Sequence, residues 1–411
     1  MQFSDFSINK SILKAVAKER FHTPTLVQQK AIPLILNKKN VLVSAQTGTG
    51  KTAAFALPIL QLLFDKQDAE KGEKKIKSVI ITPTRELAIQ ILENFKNFSE
   101  FTNLRTTAVF GGVSLEPQKE ILAKGVDILI ATSGRLIDLQ MQGNVDLSFV
   151  EIFVLDEADL MLDMGFIKDV KKIESLCPKK KQTLLFSATI PDKIAELAKI
   201  TLSNPVKIEI NPEETTAKNI GQLLYYLPKK NKTDLCLHLL RNTINGKIII
   251  FRRTKFGVDK LEESLIKNGY KVASIHGDKS QIIRNKAIED FKNKKAHILI
   301  ATDVAARGID IVNVDAIINF DIPNVSETYV HRIGRTGRAG KSGIAFSFCS
   351  PDENSYIKDI ETLIEKQIKV IDEHPYLITK PKHKKKQPNT ISKHKKGRKS
   401  EASKKKKKRW Y

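Results

Sequence analysis

Short apolar runs divide the first half of the chain. Val41-Leu42-Val43, Ser78-Val79-Ile80-Ile81, Asp127-Ile128-Leu129-Ile130, Ile152-Phe153-Val154-Leu155 and Thr183-Leu184-Leu185-Phe186 are each followed by a turn and a stretch of helical length. Uninterrupted apolar strands separated by helices predict a parallel sheet covered on both faces. Val206–Ile210 reads as the last strand of this half. Pro205, Pro212, Gly221 and the polar run Glu213-Glu214-Thr215-Thr216 then mark a linker. A second series follows at Leu223–Leu227, Lys247–Phe251, Lys271–Ile275, His297–Ala301, Ala316–Asn319 and Ile344–Phe348. The fold class is therefore α/β, with two tandem parallel-sheet domains at 1–208 and 221–372 joined by 209–220. A helix-like stretch covers 352–368. From about Lys380 almost nothing can be buried, so 373–411 reads as a disordered tail.

Charge sharpens this division. Of 70 Lys and Arg against 46 Asp and Glu, residues 376–411 hold 16 basic residues and one acid, Glu401. The rest holds 54 basic against 45 acidic residues, a net +9. A mildly basic body with a strongly basic tail points to a polyanionic partner, the plainer alternative being a solubilising extension. No apolar run approaches membrane-spanning length, and the start, Met1–Phe6, has no basic-then-apolar leader pattern. Cys177, Cys236 and Cys349 are odd in number and widely spaced, which argues against a disulfide framework or zinc site and for a reducing cytoplasm.

The chemistry concentrates in a few segments. Ala45-Gln46-Thr47-Gly48-Thr49-Gly50-Lys51-Thr52 follows an apolar strand and precedes a helix-like segment, the context of a phosphate-binding loop. Glycines let the backbone approach phosphates, and a helix N-terminus offers free N–H groups. Lys51 would reach the β/γ-phosphates of a bound nucleotide and Thr52 would hold Mg2+. Asp156-Glu157-Ala158-Asp159 ends another buried strand. There Asp156 would anchor Mg2+ and Glu157 would polarise the attacking water; helix capping is the alternative. The second half has no such loop, but carries His331-Arg332-Ile333-Gly334-Arg335-Thr336-Gly337-Arg338. Its arginines would lie near one face if helical, and the glycines suggest a helix end or close backbone approach. Arg335 and Arg338 read as fingers reaching a γ-phosphate held by the other half, or as a solvated basic face. Gln28 is a candidate adenine reader, because an amide pairs adenine N6 and N7 together, and Phe21 could stack on the ring. Asn231-Lys232-Thr233-Asp234 matches a guanine-reading pattern but lies across the linker and reads as chance. Polar turns such as Pro83-Thr84-Arg85-Glu86-Leu87-Ala88, Gly111-Gly112, Thr132-Ser133-Gly134-Arg135, Ser187-Ala188-Thr189 and Ala301–Asp310 all follow strands. In an open parallel sheet those strand ends line the ligand crevice, and their hydroxyls, arginines and N–H groups suit phosphodiester oxygens.

In order and spacing these segments, with Phe251–Thr254, His276-Gly277-Asp278, Gln281 and Arg284, resemble the DEAD-box family of ATP-dependent RNA helicases over roughly residues 1–370. The compact core and short basic tail are similar to its small bacterial, RhlE-like branch. The resemblance implies two RecA-like domains. ATP would be held by Phe21, Gln28 and Ala45–Thr52 on one side and by Gly308, Asp310, Arg335 and Arg338 on the other. It implies RNA contacts from Pro83, Thr84, Arg85, Gly112, Thr132, Arg135, Thr254, Gln281, Arg284, Thr302 and Asp303. Ser187, Thr189 and His331 would couple the two sites. Ser133 stands where the family has proline, and Lys279 where it has methionine, read as a surface change. Expected partners are single-stranded RNA and short RNA duplexes, with ribosomal or RNA-decay complexes in view, no membrane, and a monomer. An ATP-gated RNA clamp with little unwinding and a DNA-directed motor are the competing readings.

The tail gives a direct expectation. If it tethers RNA by neutralising Z phosphates of a single strand, log affinity falls with log salt at a slope near ~−0.7Z. Deleting 380–411 should flatten that slope and raise the RNA concentration needed for half-maximal ATPase, leaving the maximum unchanged. RNA titrations at several salt concentrations check this; identical slopes with and without the tail would exclude the tether.

Overall fold

The computed structural model describes residues 1–46, 48–67, 75–210, 220–306, 309, 311, 314–337 and 343–377. The first sheet contains β1 (Val41–Ser44), β2 (Ser78–Ile81), β3 (Thr106–Val109), β4 (Ile128–Ala131), β5 (Ile152–Leu155), β6 (Gln182–Ser187) and β7 (Val206–Glu209). The second contains β8 (Ile220–Tyr226), β9 (Ile248–Arg252), β10 (Val272–Ile275), β11 (Ile298–Thr302), β12 (Ala316–Asn319), β13 (Gly343–Cys349) and β14 (Lys369–Val370). Their orders are β3-β4-β2-β5-β6-β1-β7 and β10-β11-β9-β12-β13-β8-β14, with every pairing parallel. Most of the apolar runs are buried central strands, the runs Val206–Ile210 and Lys271–Ile275 form the edge strands β7 and β10, and two further short edge strands, β3 and β14, escape the sequence pattern. Thr106-Thr107-Ala108-Val109 is weakly apolar and Lys369-Val370 is exposed, because an edge needs less burial than a centre. The linker expectation at 209–220 falls largely on 211–219, and the tail on 378–411; both lie outside the described residues.

Each sheet separates two apolar layers. In the first, Val41, Val43, Ile80, Ile128, Ile130, Val154 and Phe186 pack on one face, and Leu42, Val79, Ile81, Leu129, Phe153 and Leu185 on the other. The second repeats this with Ile249, Leu299 and Ile317 against Ile248, Ile250, Ile298 and Ile318. Period-two burial on both faces is what forces helices onto both sides, and it leaves the C-terminal strand ends as the place where polar loops gather. No described helix is long and apolar enough to cross a membrane.

The Asn231–Asp234 pattern is structural. Lys232 is 1% exposed, and its Nζ lies 2.5 Å from Glu353 and donates to the Phe320 carbonyl at 2.9 Å. Arg253 bridges to Glu353 at 3.0 Å, Arg252 to Asp321 at 2.9 Å, and Lys232 approaches Asp321 at 3.9 Å, so five charged residues share one network around the buried lysine. Removing one member strands its partners in a low-dielectric interior. Lys232→Ala should therefore lower stability by about 3–5 kcal/mol, read as a fall in the urea midpoint. A loss under ~1 kcal/mol, as for an exposed pair, would contradict a buried network.

Candidate nucleotide and nucleic-acid sites

The phosphate loop runs from β1 into the helix Lys51–Gln67. Gly50 has φ +91°, and a Cβ there would lie 2.4 Å from Gln28 Nε2, so the position requires glycine both for its backbone and for space. Gln28 is buried. Its Nε2 donates to the Gly50 carbonyl at 3.1 Å and its Oε1 accepts from the Thr25 N–H at 2.9 Å, tying the start of helix Leu26–Leu36 to the loop. Phe21 is 36% exposed and packs edge-on against Phe3 and Phe98, which leaves part of its ring open. Lys51 is buried, its Nζ donating to the Ala45 carbonyl at 2.9 Å, and Thr49 Oγ1 donates to the Gln46 carbonyl at 2.8 Å. Gly48 has positive φ and Thr52 is half-buried at the helix start. Thr47 lies outside the described residues.

β5 delivers three buried carboxylates to the same place. Asp156, Glu157 and Asp159 are each less than a tenth exposed. Glu157 adopts φ 54°, ψ 53° immediately before helix Ala158–Asp163. A left-handed non-glycine residue costs roughly 1–3 kcal/mol and persists where surroundings hold it. Burial pushes the Glu157 carboxyl up to about 7; Lys51 opposes the rise, Asp156 adds to it, and Arg335 opposes it. Burial likewise raises Asp156, against the pull of Lys51. Asp159 is held low: burial alone would raise it, but Lys51, His331 and hydrogen bonds from the 187–189 turn prevail. Its Oδ2 accepts from the Ala188 N–H at 3.1 Å, the Thr189 N–H at 3.0 Å and Thr189 Oγ1 at 3.2 Å, and its own N–H donates to Ser187 Oγ at 3.2 Å. Ser44, at the end of β1, donates to the Ala188 carbonyl at 3.4 Å. The 187–189 turn thus touches both the carboxylate cluster and the strand that carries the phosphate loop.

The second sheet closes this pocket. Glu157, Asp159, Asp163, Ala188, His331 and Arg335 line one cavity. Helix Ser326–Ile333 carries His331 and ends at Ile333, so Arg332 and Arg335 do not share a helical face. Arg332 turns inward instead, 2% exposed, with Nε 2.5 Å and Nη2 2.7 Å from the two carboxylate oxygens of Asp303. Arg335, just past the helix, donates from Nη1 to the Ile309 carbonyl at 2.7 Å and sits near Glu157. Arg338, Gly308 and Asp310 lie outside the described residues.

A second groove, about 470 Å3, gathers Pro83, Thr84, Arg85, Thr132, Arg135 and Arg284. Thr84 caps helix Arg85–Phe98 by accepting from the Leu87 N–H, and Thr132 stands at the N-terminus of helix Ser133–Met141. The Arg85 guanidinium lies over Gly112; a Cβ there would come within 1.8 Å of Nη1, and φ is +74°. Arg135 Nη2 holds the Val113 carbonyl at 3.0 Å, while its Nη1 is buried without a partner. Thr254 caps helix Lys255–Lys267 through the Gly257 N–H at 3.1 Å. Thr302 ends β11, and Asp303 faces Arg332 rather than the groove, which its neighbour Val304 lines. Gln281 and Arg284 reach across to the first sheet: Glu86 Oε1 lies 2.9 Å from Gln281 Nε2 and 2.8 Å from Arg284 Nη2. Burial pushes the Arg284 pKa down, Glu86 opposes this, and neighbouring Arg85 adds to it.

Glu86, Asp159 and Arg332 were not among the candidates. Glu86 and Asp159 lie within segments already marked, and Arg332 within the arginine repeat, but which partner each meets depends on the packing of distant strands.

Residues 25–197 match the DEAD/DEAH box helicase family and residues 231–340 the helicase conserved C-terminal domain. The chain is 40% identical over 370 residues to the DEAD-box ATP-dependent RNA helicase RhpA of Helicobacter pylori, covering 90% of this chain and 74% of that one. It is 41% identical over 366 residues to CshA of Geobacillus kaustophilus, covering 89% and 77%. Among solved structures it resembles S. cerevisiae Dbp5 bound to RNA and ADP BeF3, with TM-score 0.81, 31% identity, and 90% and 95% of the two chains covered. It also resembles Mss116 bound to ssRNA and UDP-BeF, with TM-score 0.81, 31% identity, and 91% and 79% covered.

The raised Glu157 carboxyl has a kinetic consequence. Below about 7 it is protonated and cannot accept a proton; above about 7 it is the carboxylate a general base requires. Since kcat/KM reports groups of the free protein, kcat/KM for ATP should fall as pH drops through about 7. A pH profile between roughly 5.5 and 8.5 checks this; a flat profile would contradict the role.

Proposed function

The chain belongs to the DEAD-box family and is an ATP-dependent RNA helicase, and from that premise we propose that closure of its two sheets on RNA switches hydrolysis on. The observation that carries this reading is the convergence of Glu157 and Arg335 from different sheets onto one cavity.

Lys51 and the loop N–H groups hold the phosphates of ATP. A buried pair of carboxylates beside a threonine hydroxyl fits a hard divalent cation, so Thr52 and Asp156 would hold Mg2+, which neutralises charge on the phosphates. Glu157, fixed by its left-handed backbone, takes the proton from the attacking water. Arg335 stabilises charge on the transferred group, a contribution worth ~10³–10⁵ in rate for such fingers. Arg338, Gly308 and Asp310 belong to the same half-site by their place in the sequence.

RNA enters through the groove of Arg85, Arg135 and Arg284. A strand lying across residues of both sheets stabilises the closed arrangement, because only that arrangement offers both sets of contacts. Glu86, bonded to Gln281 and Arg284 beside that groove, links RNA binding to closure. Ser187, Thr189 and Asp159, with His331, carry the same closure to the ATP side. The groove's fixed donors favour one bent strand over a duplex, so closure separates a few base pairs and reopening after hydrolysis releases the strand. Remodelling of RNA–protein complexes follows from the same cycle. A clamp that closes but unwinds little is the alternative, and strand displacement on short RNA duplexes distinguishes them. We also assign monomeric action in the cytoplasm and an RhlE-like branch within the family.

Glu157→Gln keeps the shape of the side chain but cannot take a proton. It should retain ATP and RNA binding and lose at least ~10²-fold in RNA-stimulated turnover. Lys51→Ala should instead weaken nucleotide binding, measured by titration. Near-normal turnover in the Gln variant would remove Glu157 from this role.

A further inference from the structure

The second sheet ends on a strand with one neighbour. β10 pairs with β11 on one side and with no described strand on the other. Its residues form the floor of a groove of about 460 Å3. Helix Lys255–Lys267 supplies one wall and helix Gln281–Lys292 the other. Ile266 on the first wall is 54% exposed and Ile283 on the second 52%. The two aliphatic side chains stand open on facing walls, and an uncovered sheet edge invites pairing.

The rim is charged and unbalanced. Lys279 pairs with Glu262 at 2.9 Å and Lys295 with Asp290 at 3.8 Å. Lys279 also meets Ser274, so the expected surface lysine is half-buried and closes one end of the groove. Lys271 and Lys286 face the same groove with no carboxylate partner among the described residues. The surplus is positive.

We infer that this groove docks an extended acidic segment of a partner protein along the open side of β10. An apolar side chain of that segment sits between Ile266 and Ile283, and its carboxylates meet Lys271 and Lys286. Strand-edge recognition of this kind takes affinity from the backbone and specificity from alternate side chains. A nucleic-acid strand fits less well: Glu262 and Asp290 interrupt the lysines, and Tyr270 is the one aromatic residue among the lining, where successive bases need several flat platforms. Arg284, next to Ile283 in sequence, points instead to Glu86, so the groove is separate from the RNA groove.

The test uses the full chain as bait for a random short-peptide library, followed by titration of labelled copies of the enriched peptides. The expected result is enrichment of acidic peptides with interspersed apolar residues. Their affinity should fall at least ~10-fold, about 1.4 kcal/mol, in Ile266→Ser, in Ile283→Ser and in the Lys271→Glu/Lys286→Glu double variant. RNA-stimulated ATPase should stay at the wild-type rate in all three, which establishes that they fold. The inference is overturned if no acidic apolar peptides are enriched, or if those enriched bind the variants unchanged. It is also overturned if oligouridylate displaces them and itself binds the double variant more weakly.

Discussion

Three carboxylates are buried at the end of one strand, and the sheet that carries them brings one lysine to meet them. Asp156, Glu157 and Asp159 surround Lys51, and burial raises two of the three toward their neutral forms. Such a cluster is incomplete by charge alone. The missing positive charge comes from elsewhere in the chain: Arg335 beside Glu157 and His331 beside Asp159, both from the second sheet. Arg335 and His331 thus offset part of the electrostatic deficit at Glu157 and Asp159, while Asp156 has Lys51 as its cationic neighbour. Asp159, the one tied down by the 187–189 turn, stays ionised; Glu157, the one left poised, has its carboxyl near neutrality.

The nucleic-acid side obeys a related constraint. Arg85, Arg135 and Arg284 converge on a groove in which Glu86 is a buried acid. Three guanidiniums at close quarters repel one another, and Glu86 relieves this by accepting from Arg284 and Gln281 across the cleft. An incoming phosphate would relieve it further. The same inter-sheet approach brings opposite charges together at both clusters, and on this rests our proposal that binding on one rim governs chemistry on the other.

Much of this was legible in the sequence because its causes are local. Uninterrupted apolar runs, the glycines around Lys51 and the acids ending a buried strand announce themselves without a partner. What escaped depends on distant packing. The family resemblance implies an RNA contact at Asp303, and the structure shows its carboxylate held by Arg332, twenty-nine positions on. The arginine repeat suggests one helical face, but the helix stops at Ile333, and Arg332 and Arg335 take different partners. Glu86 sits in a marked segment, and only the packing of helix Gln281–Lys292 shows what it holds. The weakly apolar edge β3 was invisible for a similar reason, since an edge strand is defined by its neighbour.

The link between the two rims is tested most directly by exchanging the charges of Glu86 and Arg284. Glu86→Arg and Arg284→Glu each place like charges face to face, and each should lose RNA stimulation of ATP hydrolysis while nucleotide binding persists. The double exchange restores an opposite-charge pair across the cleft and should recover a substantial part of the stimulation, with coupling on the order of 1–3 kcal/mol in the double-mutant cycle. Additive losses with no recovery would contradict closure through this contact as the switch for hydrolysis.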